Sequence, residues 1–506
     1  MAGIASLPTE VLGQIAARVS QTSDLANLRL ANRLLNRIVR PVLFSTACLY
    51  PQWSTMYLAY AGPDEIELAK RSRTSPGTYY NSRKFIQVLE HPELREYVKK
   101  VYIYACDTNC DRHPAEERWN NADFHLDWLQ SILRITEFPN VKTVALCFDR
   151  HCGEVFDPEG CLNDASVREL VLDAFLEALQ ADTGGKIKHL ILRNLESESV
   201  EGRLESGSGV CRLDHPAWAA ILGRLEKLFI SVVHEQNVPE GGLDLELPGQ
   251  YEFWRKFPSR FLLPAVDNLQ SLALYSDTAL GLMPRVRLKS VHFPRLKSLT
   301  LGHFSFVHDY EVEWILSHAN TLRSLRLDHC FIVYMLASKR PNWLGSDGYP
   351  ITNSRAFLRP SSYRRYPDHT PVENFDEETF TATLIETRWH NIFDRFGEKL
   401  TELQSFWFGS AQGWNFDAHH RGPNDGGPGK PIMPFEPPMD APSSLFPARY
   451  KIWNDFDFEF AWKEEQISEE EYPEVIEHML KERPDCDGRD EEAMMRLLGK
   501  MARTAV

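Results

Sequence analysis

Apolar residues recur along this chain in the order apolar-x-x-apolar-x-apolar. The copies are Val98-Val101-Ile103, Val141-Val144-Leu146, Ile187-Leu190-Leu192, Leu225-Leu228-Ile230, Leu269-Leu272-Leu274, Leu296-Leu299-Leu301, Leu322-Leu325-Leu327 and Leu403-Phe406-Phe408. Their last two apolar positions are two residues apart, which is the period of a strand with one face turned to a core. Successive copies begin 43, 46, 38, 44, 27, 26 and 81 residues apart. Two of them, Phe138-Pro139-Asn140-Val141-Lys142-Thr143-Val144-Ala145-Leu146 and Phe293-Pro294-Arg295-Leu296-Lys297-Ser298-Leu299-Thr300-Leu301, are nearly the same phrase 155 positions apart. Such a pair sets the copies apart from chance matches in an apolar chain.

Amphipathic helical stretches precede most copies: Phe124 to Ile135, Val167 to Gln180, Pro216 to Leu222, Tyr310 to His318 and Glu377 to Phe396. Each unit is thus a helix followed by a short strand. One such unit cannot bury its apolar face alone, so the units are expected to stack into a curved solenoid with a parallel sheet and covering helices. The fold class this predicts is α/β, with the repeat array over 94–410. The spacings of 26 and 27 residues match the usual repeat period of about 20–29, and the longer ones imply inserted loops or long helices.

Ahead of the array, Ser6-Leu7-Pro8-Thr9-Glu10 is a helix-start signature, with a Ser N-cap, Pro in the first turn and Glu at the positive end of the dipole. Helix is expected to about Val19; it restarts at Thr22-Ser23-Asp24 and runs to Arg40, where Pro41 stops it. Fifteen large apolar residues lie between Ser6 and Phe44. A module of about 40 residues is too small to bury so many in its own core. Either it is a cap packed on the following domain, or part of its apolar surface meets a partner.

Leu7-Pro8-x-Glu10-Val11-Leu12-x-x-Ile15, Asp24-Leu25-x-x-Leu28-Arg29-Leu30-Ala31-x-Arg33 and Ile38-x-x-Pro41-x-Leu43-Phe44 together resemble an F-box of the form common in fungal proteins. Leu35 departs from the family, which often carries an aromatic there, and keeps the apolar volume. The resemblance implies an F-box over 1–48 that docks on the Skp adaptor, and through it a cullin, in an SCF (Skp-cullin-F-box) ubiquitin ligase. Leu7, Pro8, Val11, Leu12 and Ile15 are the contact residues it implies. The array is similar to degenerate leucine-rich repeats; Leu322 to Ile332 carries the full signature, with Cys330 at the Asn/Cys position.

Between these parts, 49–93 is a connecting segment with a basic Ser/Pro linker at Lys70 to Gly77. An aperiodic insertion at about 338–372 carries Arg355, Arg359, Arg364 and Arg365 among Phe357, Tyr363 and Tyr366. Arg forks beside aromatics suit an acidic or phosphorylated peptide of a substrate, and a solvated loop has the same composition. Residues 411–449 hold five Gly and eight Pro, the composition of an irregular segment. Over 450–506, Tyr450 to Trp462 suits a cap on the last repeats, while Glu469 to Glu482 and Glu491 to Ala502 read as acidic helices with a solvated face.

Charge and composition narrow the function classes. The formal net charge is −15, which argues against nucleic-acid or anionic-membrane binding by the whole surface. Most of it sits in one stretch, with sixteen acids and four bases between Asp455 and Glu492. Nine scattered cysteines suggest a reducing compartment. No signal peptide or membrane-length apolar run is read, so a cytoplasmic or nuclear protein is expected.

The chain lacks the sequence motifs of hydrolase elbows, zinc proteases, dinucleotide folds and phosphate loops. Cys106, Cys110, His113, Cys147, His151, Cys152 and Cys161 form the one group with zinc-ligand chemistry, and it lacks a Cys-x-x-Cys pair. Neither a metal nor another cofactor is expected. The function expected is a non-catalytic substrate receptor that binds an unidentified target protein, with a Skp-binding scaffold outside ubiquitination as the alternative.

Overall fold

The computed structural model describes residues 7–19, 22–49, 82–105, 122–148, 165–197, 213, 216–234, 236–237, 242–243, 248–282, 285–338, 348–349, 381–410, 442–454 and 485–504. The fold is α/β, with twelve strands in a mostly parallel sheet and helices covering it. The chain divides into two compact units: Met1–Leu195, Pro216–Phe229 and Gly413–Pro437 form the first, and the remaining segments form the second.

The first unit opens with helices α1 (Thr9–Arg18), α2 (Thr22–Ala31) and α3 (Arg33–Leu43). Instead of one long second helix, the chain breaks at Asn32. This residue leaves helical geometry and its side chain accepts a hydrogen bond from the Leu35 amide at 2.8 Å, capping α3. Pro41 does not end that helix. It sits in the last turn, and α3 runs two residues further. Leu12, Ala16, Leu25, Leu35, Ile38 and Val39 make the module's small core.

Strand β1 (Thr46–Leu49) follows at once and pairs in parallel with β2 (Lys100–Tyr104), Ala47 opposite Val101 and Leu49 opposite Ile103. The sheet therefore begins about fifty residues before the expected start at 94. Phe44-x-x-Ala47-x-Leu49 is another copy of the repeat phrase, hidden by its small central residue. Helix α4 (Ser82–Glu90) precedes β2; α5 (Ala122–Leu133) precedes β3 (Thr143–Cys147), and α6 (Ala165–Gln180) precedes β4 (His189–Glu196). Helix α7 (Pro216–Leu222) leads into β5 (Lys227–Val233), whose residues from Ile230 onward belong to the second unit.

In the second unit a short hairpin, β6 (Gln236–Asn237) and β7 (Gly242–Leu243), comes before α8 (Pro248–Phe257). Then come β8 (Ser271–Leu280), β9 (Ser298–Phe306), α9 (Asp309–Leu316), β10 (Ser324–Asp328), β11 (Phe331–Ser338), β12 (Thr381–Leu384), α10 (Trp389–Lys399), β13 (Ser405–Gly409), β14 (Tyr450–Asn454) and α11 (Asp487–Thr504). Strands β8, β9, β10 and β13 lie side by side in parallel. The β-branched Thr381-Ala382-Thr383-Leu384 is not helical, although the amphipathic pattern extends to it. It pairs antiparallel with β11, and helix begins only at Trp389.

Every repeat phrase lands on a strand, and the copies are in register. Val101, Val144 and Leu190 face one another, as do Leu272, Leu299, Leu325 and Phe406, and the positions two residues on repeat the pattern. All are buried. Asn194, His303 and His329 adopt a left-handed backbone, with φ of 55°, 53° and 52°. Each lies seven residues after the first apolar residue of its phrase. Asn and His tolerate this region better than branched residues, and the recurrence marks one bend shared at the same point after each phrase. Cys330, one residue on, points its thiol at the Leu301 carbonyl at 3.3 Å and ties neighbouring turns together.

The second face of the strands is largely buried as well. Tyr102, Tyr104, Ala145, Cys147, Ile191, Ala273, Tyr275, Thr300 and Asp328 are all buried. Most of the array is therefore covered on both sides, as parallel sheets usually are.

The last helix also departs from a solvated acidic helix. Ala493, Met494, Leu497 and Met501 of α11 are buried against the second unit, and Asp490, fully buried, reaches the start of α10. The N-cap of α10, Arg388, supplies no side-chain cap. The Tyr450 hydroxyl accepts from the Trp389 amide at 2.9 Å, and the Asp490 carboxylate accepts from the His390 amide at 3.0 Å. Two orphan donors are thus satisfied from 61 and 100 residues away, with a carboxylate at the positive end of the helix dipole. Asp490 also pairs with buried Arg449 at 3.2 Å. Replacing Asp490 with Ala strips a buried cation of its buried partner, leaving it only the exposed Asp487, and uncaps α10, so a loss of about 3–5 kcal/mol in denaturant unfolding is expected, with early amide exchange in α10 and α11.

Candidate functional site

Helix α1 carries two opposed apolar rows. Leu12 and Ala16 point into the module's core, and Leu12 is only 4% exposed. Val11 and Ile15, one turn apart, form the other row, and Leu7 sits just ahead of the extended N-cap Pro8; exposures are 38% for Leu7, 38% for Val11 and 42% for Ile15. Pro8 is exposed beside them, and α2 adds Leu30 at 75%. Four of the five contact residues named from the sequence are thus on the surface, while Leu12 packs inside. The i, i+4 spacing aligns Val11 and Ile15 along one helix face, with Leu7 at its entry, and burying an aliphatic side chain fully is worth about 1.5–3 kcal/mol. Such a row is the geometry of a helix-on-helix interface.

Strand residues on the face opposite the leucines form a second candidate in the second unit. Ser271, Ser298, Ser324 and Ser405 are in register across four strands, followed by Ala273, Thr300, Arg326 and Trp407, then Tyr275, Gly302, Asp328 and Gly409. The Tyr275 ring lies over Gly302 so closely that a Cβ there would fall 1.9 Å from the ring. The Tyr275 hydroxyl donates to Asp328 at 3.3 Å, and the Arg326 guanidinium donates to the same carboxylate at 2.8 Å while lying 4.2 Å above the Trp407 ring. Burial and the Asp328 charge push the Tyr275 phenol up, so it stays protonated as a donor.

Arg355, Arg359, Arg364 and Arg365 lie outside the described residues. So do Cys106, Cys110, His113, His151, Cys152 and Cys161 of the zinc-like group; Cys147 is buried in β3, where burial pushes its thiol up to about 11. The base of the 338–372 insertion is defined by β11, which the chain leaves after Ser338, and β12, by which it returns at Thr381.

Three buried polar clusters have the residue types of reactive sites, and in each the reactive atoms are spoken for. His234 Nε2 accepts the Trp254 indole N–H at 2.9 Å and Nδ1 meets the Asp277 carboxylate, so the ring's basic lone pair is spent inside the fold. His390, Cys486 and Asp490 place potential ligand atoms within 4.8 Å of one another. There the carboxylate already takes the His390 ring, the Tyr450 hydroxyl and Arg449, and the guanidinium puts a fixed positive charge beside any incoming cation. That trio fits a clasp better than a metal centre. Glu311 accepts from the Tyr349 hydroxyl and from the His308 amide at 2.8 Å, holding Gly348-Tyr349 against α9.

Compared with known proteins, the chain matches no family model and no curated protein. No helix among the described residues is long and apolar enough to cross a membrane.

Burial outweighs the hydrogen bonds at Glu311 and raises its carboxyl to about 7. A raised carboxyl binds its proton more tightly when folded, so this group's contribution is largest at low pH and is lost as pH rises through about 7. The expected outcome is that urea unfolding of the native chain and of Glu311→Gln shows the native chain losing ground to the variant between pH 5 and pH 8. A pH-independent difference would contradict it.

Proposed function

We propose that this protein is the substrate-recognition subunit of an SCF-type ubiquitin ligase, with α1–α3 an F-box that docks on the Skp adaptor and the repeat array a degenerate leucine-rich-repeat domain that binds a target protein. The observation that carries this reading is the second apolar row of α1, Val11 and Ile15, with Leu7 and Pro8 at its entry, left exposed after the module has filled its own core. A cap folded only onto its own domain has no need of such a row. The in-register strands and the recurring left-handed bend support the repeat assignment.

The receptor itself needs no nucleophile in this role. Holding a target near a charged conjugating enzyme raises effective concentration, and the transfer chemistry lies in other subunits. The cullin is reached through the adaptor, and the work is done in the cytoplasm or nucleus. Outward residues of the array and the insertion between β11 and β12 are the places for the target. A Skp-bound scaffold outside ubiquitination uses the same face, and recovery of the cullin with the complex separates the two.

The test is co-expression of the full chain with the Skp adaptor. Stable co-elution is expected for the native chain. Leu7→Glu with Val11→Glu is expected to weaken it roughly a thousandfold, from about 2 kcal/mol at each of two interface anchors, with the thermal melt of the chain unchanged. Leu12→Glu is expected to unfold the module instead. A folded native chain that recovers no adaptor would refute the reading.

A further inference from the structure

We propose that the edge of the first unit where strands β2 to β5 begin is a docking strip for an acidic segment of a partner protein. The residue after the first apolar position of each phrase is Lys99, Lys142, Lys188 and then Glu226, and the next is Lys100, Thr143, His189 and Lys227. Register brings these together. The Lys142 amide donates to the Lys99 carbonyl, and the Lys188 amide to the Lys142 carbonyl, each at 2.9 Å; Lys100, Thr143 and His189 are direct partners across the sheet. Neighbouring strands are about 4.8 Å apart, so five lysines and a histidine, with Glu226 as the one acid, share a strip four strands wide.

Like charges opposite one another in a sheet destabilise it, and this arrangement recurs on consecutive strands. The other cations nearby are committed internally. Lys186 donates to the Thr136 and Phe138 carbonyls, and Arg224 pairs with Asp182. Lys99 and Lys142 are exposed and Lys188 is half-buried, and none of the three ammonium groups has an acidic partner among the described residues. The local field also reaches His189. Burial first, then Lys227, Lys142 and Lys100 against the pull of Glu226, hold its imidazole down at about 4. It stays neutral and accepts or donates through Nδ1 with Thr143 at 3.0 Å.

A strip this short, on a chain with a formal charge of −15, fits a few carboxylates or phosphorylated side chains of a peptide. A polynucleotide tracking beyond it would place its further phosphates past the four strands, where no lysine of the strip meets them. With the second face of the strands buried, the strand beginnings are also where the array offers exposed, chemically distinctive positions. This inference goes beyond the adaptor reading and does not depend on it.

The test uses the full chain and fluorescein-labelled decaglutamate, read by fluorescence anisotropy without any adaptor present. Saturable binding that weakens steeply with salt is expected. The triple variant Lys99→Glu, Lys142→Glu, Lys188→Glu is expected to weaken it at least about tenfold. A control triple with the same change in net charge, Lys289→Glu, Lys297→Glu, Lys399→Glu, is expected to keep it. The single variant Lys142→Gln, flanked on both sides by lysine, is expected to bind about threefold more weakly while its melting temperature stays level or rises, because repulsion is relieved. No binding by the native chain, equal weakening in both triples, tighter binding of a ten-residue oligothymidylate, or a fall in melting temperature with unchanged peptide affinity in Lys142→Gln would each overturn the proposal.

Discussion

Adjacent parallel strands in this protein set leucine against leucine at the same register, and this stacking is the constraint from which the other features follow. A parallel pair cannot form from neighbouring residues; it needs a crossover of a dozen or more residues. The helices between the phrases supply that crossover and cover the leucine face. Because the side-chain period of a strand is two, a one-residue slip would turn each apolar row outward. The shared left-handed bend at Asn194, His303 and His329, and the Cys330 thiol reaching the Leu301 carbonyl, hold the turns in step.

Stacked units leave open ends, and each unit of the chain deals with its boundary in its own way. In the first, α3 runs almost directly into β1, so the helical module is continuous with the sheet. In the second, Asp490 and Tyr450 cap α10 from far along the chain. A buried carboxylate with several donors is costly to desolvate and costly to disturb, which makes α11 an integral part of that unit despite its acidic sequence.

Function in such an architecture is pushed outward. The leucine face is filled, the opposite strand face is largely buried, and the buried His234, His390 and Glu311 clusters spend their polar atoms on one another. Among the described residues, the outer row of α1 and the beginnings of the strands are exposed. Part of this was legible from the sequence: the four-residue spacing of Val11 and Ile15 places them on one helix face, with Leu7-Pro8 at its entry. Leu12 was not separable from them, because an apolar residue one position off that row turns inward or outward only according to where α2 and α3 pack. The strip of Lys99, Lys142 and Lys188 was invisible for another reason, since its members are 43 and 46 residues apart and only register makes them neighbours.

The sequence by itself determined the positions of the strands that carry the repeat phrase, because apolar-x-x-apolar-x-apolar couples a period of two to a burial requirement that any fold of this chain must meet. It also determined most helix positions and the α/β class. The tertiary structure alone decided where the sheet begins, since Ala47 is too small to announce a strand and is recruited by β2; that Thr381–Leu384 is strand rather than helix, since the edge of β11 offers it hydrogen bonds; and that an acidic terminal helix is core, since Asp490 finds Arg449 and the start of α10. In each case the deciding partner lies tens of residues away, and local pattern carries no information about a contact that distance creates.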